Sequence, residues 1–180
     1  MSPTTDVLKK RPIQPTIETR KTNPADEAVA LREGFREALS YWASGVTIVA
    51  VRDEADVHAT TVSSLTSVSD SPPTVLVSLG RTARVLPFLE PGGRFAVSVL
   101  GSDQQRIASV YADSFPVGPS PFPEHGAPTV AEALVTLECS VVEVREVGAS
   151  FVVVGQVERT TLGEGESPLV YFRRGYRRLE

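Results

Sequence analysis

The sequence predicts a mostly β protein with added helices, folded as a closed or nearly closed antiparallel barrel. Seven or so short segments are rich in branched residues, and polar turns between them give a hairpin order. The helical segments are few and stand at the margins of the β region, which excludes an alternating α/β pattern. With 180 residues, 41% of them hydrophobic, the chain suffices for one domain with a substantial core.

The predicted strands follow one another closely along the chain. The first, 46–52, ends at a polar turn, 53–56, and the segment from Val57 returns beside it as a hairpin. The alternating run 134–147 is paired in the same way with 151–159 across Gly148, Ala149 and Ser150. The remaining strands are predicted at 75–79, 95–100 and 169–172.

The first predicted helix has the best-defined start. Asn23 suits the N-cap, and Pro24 suits the first helical position. Apolar residues then recur every three or four positions and form one stripe, with Trp42 interpreted as a core anchor: Leu31, Phe35, Leu39 and Trp42.

Two short helices are predicted from capping boxes. Ser102 with Gln105 precedes one, and Thr129 with Glu132 precedes the other. The proline-rich segment 116–128 between them is predicted to be irregular surface.

The ordered domain is predicted at 25–180, behind a flexible tail at 1–24. The tail is polar and has too little apolar surface to offset its ordering entropy. An arm that wraps a partner subunit is the open alternative. The tail shows no signal-peptide core, and the chain has no apolar stretch of membrane-spanning length, so a cytoplasmic protein without a membrane partner is expected.

Charge and composition exclude several function classes. A net charge of −4 argues against nucleic-acid binding, which depends on phosphate neutralisation by a basic face. With Cys139, His58 and His125 as the only residues of their types, no Cys/His metal cluster is expected. Cys139 stands in an apolar alternating run and is interpreted as a buried structural thiol. Nucleotide-binding loops and nucleophile motifs are absent, so difficult chemistry would reside in a bound cofactor.

The segment 58–73 is the candidate binding segment. It is β-prone, carries few charges and ends in two prolines, and its short hydroxyl side chains are suited to lie against a ligand that accepts hydrogen bonds. A Ser/Thr-rich edge strand exposed to water is the alternative. The hydroxyls belong to Thr60, Thr61, Ser63, Ser64, Thr66, Ser67, Ser69 and Ser71.

The run from Thr61 to Ser69, followed by Pro72, Pro73 and the strand VLVSL, resembles the signature of the flavin reductase domain family. Further similar motifs keep the family order: Phe35–Leu39, Gly45–Thr47, Phe95–Leu100, Glu132–Leu134, Glu138–Cys139 and Leu169–Phe172 with Tyr176. Ser98 stands where the family usually has asparagine. Together the motifs span residues 33–179.

This resemblance implies an FMN-binding split barrel that forms a homodimer. Such a protein binds FMN or FAD, reduces it with NADH or NADPH and releases it to a partner flavin-dependent monooxygenase component. Hydride transfer between stacked rings requires alignment more than a strong acid or base, so no residue is predicted to be catalytic. The flavin-binding residues are predicted to be Ser44, Gly45, Thr60, Thr61, Val62, Ser63, Ser64, Ser67, Ser69, Gly80, Arg81, Thr82, Ala83 and Ser98.

Specific contacts with the flavin are predicted for two parts of this site. Main-chain groups near Ser63 and Ser64 meet the edge of the flavin ring, and Ser67 and Ser69 bond the ribityl hydroxyls or the phosphate. At Gly80–Ala83, a guanidinium, a hydroxyl at a predicted N-cap and the N–H groups of a helix start suit a phosphate.

The turn after the long strand departs from the family pattern. The family has Gly-x-His there, with the histidine near the nicotinamide, whereas this chain has Gly148, Ala149 and Ser150. Ser150 and His125 are the candidate nicotinamide-binding residues. The departure leaves open a flavin carrier or sensor without reductase turnover, and a barrel that serves only as an interaction module is a third hypothesis.

Overall fold

The structure is a computed structural model that describes residues 23–54 and 56–179. Nearly all of the predicted tail, and residue 55 of the predicted turn at 53–56, lie outside the described residues. The described residues fall into two compact units, which divide between residues 37 and 38.

Helix α1 spans Pro24–Ser40 and begins where the sequence predicts. The Asn23 side-chain oxygen accepts a hydrogen bond from the backbone N–H of Ala25 at 3.2 Å, which confirms the predicted N-cap.

The prediction that Trp42 anchors the core is wrong. After the helix, Trp42 N–H bonds to the Leu39 carbonyl in a turn, and 75% of the Trp42 surface is exposed. The adjoining core is filled instead by the branched residues that begin at Val46, so the indole remains at the surface.

Ten strands in two antiparallel sheets form among the described residues. The larger sheet has the order β3-β2-β6-β7-β8-β5-β4, and the smaller one has the order β1-β9-β10. The strands are β1 (Ser44–Gly45), β2 (Thr47–Asp53), β3 (Asp56–Val62), β4 (Thr66–Asp70), β5 (Pro73–Gly80), β6 (Arg94–Val99), β7 (Val135–Val147), β8 (Ser150–Leu162), β9 (Leu169–Phe172) and β10 (Gly175–Arg178).

Both predicted hairpins are confirmed. In the first, β2 pairs with β3 from Thr47↔Val62 to Asp53↔Asp56. In the second, β7 pairs with β8 through Val147↔Ser150. Local sequence patterns were therefore sufficient to predict these two strand pairings.

The core lies on both faces of β2. Val49 and Val51 face the barrel interior, where they pack with residues such as Val77, Phe95 and Val153. The alternate residues Val46, Ile48 and Ala50 face the second cluster. That cluster lies under helix α2 (Gln105–Ala112) and the loop after it. Each fully buried branched side chain contributes about 1.5–3 kcal/mol, so β2 is a well-fixed neighbour for β3, which carries the start of the hydroxyl run.

The short helices match the sequence only in part. Helix α2 forms, but its N-cap position is Gln104 and carries no side-chain cap, so Ser102 is not the predicted cap. No helix follows Thr129: Val130 N–H is bound by Ser98 Oγ and Glu132 has a φ of 57°, which commits the segment to a turn. Among the described residues, no helix is long and apolar enough to cross a membrane.

Cys139 is buried in β7, as predicted. Burial, followed by the charges of Glu158 and Glu138, raises the pKa of its thiol from 9.0 to about 12. Because the folded pKa is the higher one, the proton is bound more tightly in the folded state. The resulting stability is fully present below pH 9 and is lost as the pH rises towards 12.

We therefore expect no alkylation of native Cys139 at neutral pH. We also expect the urea midpoint to fall between pH 9 and pH 11 more steeply in the wild type than in Cys139→Ala. Rapid alkylation by iodoacetamide without denaturant, or identical alkaline slopes in the two proteins, would contradict this placement of the thiol.

Candidate functional site

The hydroxyl run is split between two strands and the loop that joins them. Thr60, Thr61 and Val62 end β3, and residues 63–65 form the loop. Strand β4 carries Thr66, Ser67 and Ser69, and Ser71 lies in the turn after it. The Ser64 hydroxyl donates to the Ser78 carbonyl at 2.8 Å and accepts from the Ser78 N–H at 3.0 Å. These two hydrogen bonds to β5 bring the end of β3 beside the end of β5.

Several predicted residues meet at this junction and leave open space. Ser63 is exposed in the loop, and Gly80 is exposed at the end of β5. Gly45 lies just before β2, whose first residue pairs with Val62. A Cβ atom added to Gly45 or Gly80 would meet no protein atom within 4 Å. A flat ring can therefore approach the main chain here without a steric obstacle.

The turn after β5 differs from its prediction. Residues 81–85 form successive turns, in which the Gly80 carbonyl accepts from the Ala83 N–H, and a single 3₁₀ turn, Leu86–Phe88, follows. No helix begins at Thr82, since Pro87 lies too close to permit one. The exposed Thr82 hydroxyl remains available to a phosphate, but the predicted helix N-terminus does not contribute.

Arg84 is the residue that the sequence analysis missed. Its Nη1 atom is buried and has no hydrogen-bond partner among the described residues. With Thr82 it lines an open groove of about 620 Å³, whose other wall is formed by Ser114, Phe115 and Pro116. A buried guanidinium donor without a partner costs free energy unless a ligand satisfies it. An anion bound in the groove would do so.

Arg81, by contrast, is already engaged. Its guanidinium forms an ion pair with Glu146, donates to the Gly148 carbonyl at 3.2 Å and lies over the Phe151 ring, 5.6 Å from its centroid. It joins the end of β5 to the β7–β8 turn. Arg81 is therefore at the predicted place, but its charge is balanced by a carboxylate instead of being free for a phosphate.

The two candidate nicotinamide residues have different positions. Ser150 pairs with Gly80 across β8 and β5, so it lies beside the open junction. His125 belongs to the segment that Arg52 holds through the carbonyls of Pro123 and Gly126, at 2.5 and 2.9 Å. Arg52 is at the opposite end of β2 from Thr47, about 16 Å along the strand. Within one chain His125 thus belongs to the Arg52 end of β2, and its nicotinamide role stays a prediction.

Other predicted flavin contacts have structural partners. Ser98 is 1% exposed and its hydroxyl accepts from the Val130 N–H at 2.9 Å, so it holds the loop and is out of reach of a ligand. This burial contradicts the predicted contact at Ser98. The Thr61 hydroxyl donates to the Ala108 carbonyl at 2.8 Å and ties β3 to α2.

Ser67 and Ser69 lie away from the phosphate groove. They pair with Val75 and Thr74, towards the start of β5. Thr74 is about 20 Å along the strand from Gly80. Ser69 also accepts a hydrogen bond from the Ser71 N–H at 3.1 Å. A phosphate at Thr82 is therefore incompatible with the predicted phosphate contact at Ser69.

The groups at the junction fit a flavin nucleotide. The open main chain at Gly45 and Gly80 accommodates a planar ring, and the unpartnered Arg84 Nη1 with the exposed Thr82 hydroxyl suits its phosphate. His58 stacks on Phe88 with ring centroids 3.8 Å apart, which holds the turn after Arg84 against β3. The sequence signal for this residue is that the turn holds a second arginine, Arg84, three positions after Arg81.

We expect Ser63→Leu and Thr82→Leu to weaken FMN binding about fivefold or more, because each removes a hydroxyl and places an apolar side chain in the ligand's path. Both positions are exposed, so the fold should persist. Flavin fluorescence titration measures the effect. Thr160→Leu, an exposed threonine at the far end of β8, is the matched control. Unaltered affinity in both site variants would show that the junction is not the flavin site.

Comparison with known proteins agrees with the fold. The model of the flavin reductase like domain matches residues 39–180. The chain therefore belongs to the flavin reductase-like family, and the split-barrel fold predicted from its motifs is confirmed.

Two relatives show how similar the chain is to individual family members. The chain is 40% identical to the reductase component of 4-hydroxyphenylacetate 3-monooxygenase from Thermus thermophilus, over 83% of this chain and 97% of the relative. It is 36% identical to an NADH-dependent flavin reductase of Rhodococcus sp, over 81% and 85%.

Solved structures give the same result. The native state of the flavin reductase PheA2 superposes with a TM-score of 0.75 at 30% identity, covering 82% of this chain and 97% of that one. The NADH:FAD oxidoreductase SgcE6 of Streptomyces globisporus, in complex with NAD and FAD fragments, has a TM-score of 0.71 at 31% identity, covering 88% and 96%.

Proposed function

We propose that this chain is an NADH-dependent flavin reductase that reduces FMN or FAD and supplies it to a partner monooxygenase component. The observation that carries the proposal is the junction between β3 and β5, with open main chain beside an unpartnered Arg84 donor. The names of the relatives support the same activity, since they include NADH-dependent flavin reductases and monooxygenase reductase components.

The chain's own residues have a limited set of tasks in this reaction. A bound flavin supplies the acceptor for the hydride of NADH. Gly45 and Gly80 would let the ring lie close to main chain, and Thr82 and Arg84 would hold its phosphate. Ser150, which pairs with Gly80, is the residue we assign to the nicotinamide. Alignment of two rings is the main requirement, so we assign no acid or base to the reaction.

The direct test mixes purified protein with FMN or FAD and follows the absorbance of NADH and of NADPH. We expect oxidation that depends on added flavin and exceeds the uncatalysed rate. Reduced flavin should then support turnover by a flavin-dependent monooxygenase component without physical linkage of the two proteins. Protein that binds neither flavin would contradict the proposal.

One observation favours a second candidate function, a flavin carrier or sensor without turnover. The family's turn histidine is replaced by Ser150, and within one chain His125 lies in the loop bound at the Arg52 end of β2. The two functions differ in a single result: the carrier binds flavin tightly but leaves NADH and NADPH unoxidised.

The assembly, location and extent of the protein are part of the proposal. We infer a homodimer from the family resemblance, with analytical ultracentrifugation as the test. A cytoplasmic location is inferred because NADH is an intracellular reductant. The functional domain is taken as 25–180, although the family match begins at residue 39; a chain shortened to start at residue 39 should retain flavin binding if the smaller extent is sufficient.

A further inference from the structure

An apolar cavity of about 220 Å³ lies between helix α2 and the proline-rich segment after it. Ligand pockets for whole drug-sized molecules are larger, about 300–1,000 Å³, so this one suits a single planar ring system. Its apolar lining includes Ile107, Val110, Tyr111, Val117, Pro119 and Pro121. Arg106 stands at its edge and adds a positive charge.

The cavity adjoins the phosphate groove. Residues 114–116 line the groove, and Val117 continues directly into the cavity wall. Tyr111 lines the cavity and Arg84 lines the groove. Burial raises the pKa of the Tyr111 hydroxyl, and the charge of Arg84 acts in the opposite direction, so the guanidinium and the phenol are close.

The ring of Tyr111 is held in place for stacking. It meets the Phe122 ring edge to face with centroids 5.4 Å apart, and Phe122 is only 9% exposed. Tyr111 itself is half-buried, so part of its ring is available to a ligand. The hydrogen bond from Thr61 to the Ala108 carbonyl fixes α2 to β3, and thereby fixes the cavity relative to the flavin junction.

We propose that this groove and cavity form a binding site for an adenosine phosphate, with the phosphate at Arg84 and the adenine ring against Tyr111. The inference rests on the proposed reductase function and specifies part of its ligand recognition. Both FAD and NADH carry an adenosine phosphate beyond the reacting half of the molecule, and the shared chemistry is a heteroaromatic base joined to an anion. Apolar walls with arginines at the edges complement that combination.

The test is isothermal titration calorimetry of the full chain with FMN, with FAD, and with NAD⁺ in the absence of flavin, since the FMN phosphate would itself occupy Arg84. In Tyr111→Ala, the affinity for FAD or for NAD⁺ should fall at least about fivefold, the range for loss of one aromatic stack on a base. The affinity for FMN, which has no adenosine, should remain within error. A selective loss for FAD identifies the flavin nucleotide as the source, and a selective loss for NAD⁺ identifies the nicotinamide nucleotide.

A second variant avoids the packing role of Tyr111. Val117 is 85% exposed, so Val117→Glu should leave the fold intact while it places a negative charge at the cavity. Leu162→Glu is the matched control, at a residue that is 79% exposed and outside the cavity lining. Val117→Glu should weaken FAD or NAD⁺ binding at least about fivefold, a loss of the size expected for one contact, and the control should not.

The results separate this inference from the function on which it rests. If the wild type binds FMN and oxidises NADH, but neither variant changes FAD or NAD⁺ affinity, the adenosine site is wrong and the reductase stands. If FMN affinity falls as much as FAD affinity in both variants, the cavity is part of the flavin junction and the adenosine site is again wrong. A wild type that binds none of the three nucleotides overturns both proposals.

Discussion

Replacing Arg84 with methionine is expected to weaken FMN binding by about ten- to a hundredfold. A hydrogen bond from a charged group contributes about 1.5–3 kcal/mol, and tenfold in affinity corresponds to 1.4 kcal/mol. Arg84 lines the groove and its Nη1 atom has no partner among the described residues, so we expect the phosphate to pair with its guanidinium. Methionine keeps the length and the apolar stem of the side chain and removes only the donors.

Two measurements make this result specific to the phosphate. Riboflavin lacks the phosphate, so its affinity should be equal in the wild type and in Arg84→Met. Folding stability should not fall, and should rise slightly if the buried donor is a burden in the ligand-free protein. Fluorescence titration gives the affinities, and urea unfolding gives the stability. An equal loss for FMN and riboflavin would show that Arg84 acts through the fold.

Arg81→Met is the matched control, because the sequence alone had favoured Arg81 as the phosphate residue. Its guanidinium is balanced by Glu146 at the surface, where an ion pair contributes about 1 kcal/mol or less. We expect a smaller effect on FMN affinity than in Arg84→Met. The reverse order would restore Arg81 as the phosphate ligand and remove Arg84 from the site.

The contrast between Arg81 and Arg84 shows which part of the site could not be predicted from the sequence. The two hairpins β2–β3 and β7–β8 were predicted correctly because branched residues and turns are local signals, whereas β1, β4 and β10 were not predicted as separate strands. The place of the junction was also predictable, since the hydroxyl run and the end of β5 are distinctive in composition. Which guanidinium faces the groove depends on Glu146, a residue far along the chain that pairs with Arg81. No local pattern contains that information.

Two other predicted residues depend on tertiary contacts in the same way. His125 was a reasonable candidate in sequence, but Arg52 binds its loop at the far end of β2. Ser98 has the right type of side chain, but its hydroxyl is used by Val130. Side-chain hydrogen bonds between distant segments decided both positions. Residue chemistry therefore identified the kind of site, and tertiary contacts selected its members.

Gly155→Ala is expected to destabilise the barrel by about 1–3 kcal/mol, the cost of overpacking a filled core. Gly155 lies in β8 directly over the Phe95 ring, and a Cβ atom there would overlap the Phe95 Cζ and Cε1 atoms. Phe95 is 3% exposed and belongs to the interior cluster with Cys139, so its ring has no open space to enter. Urea unfolding measures the loss. Gly45→Ala, where an added Cβ meets nothing within 4 Å, serves as the control.

The physical cause is tested by the double variant Gly155→Ala with Phe95→Leu. Leucine is smaller than the ring, so Phe95→Leu alone should destabilise by leaving a cavity. In the double variant the added methyl group fills part of that cavity, so the two costs should sum to more than the measured loss. Strict additivity would show that Gly155 is required for another reason. The result bears on the site because β8 carries Ser150 to its place opposite Gly80, and a shift of β8 to relieve the overlap would move that residue from the junction.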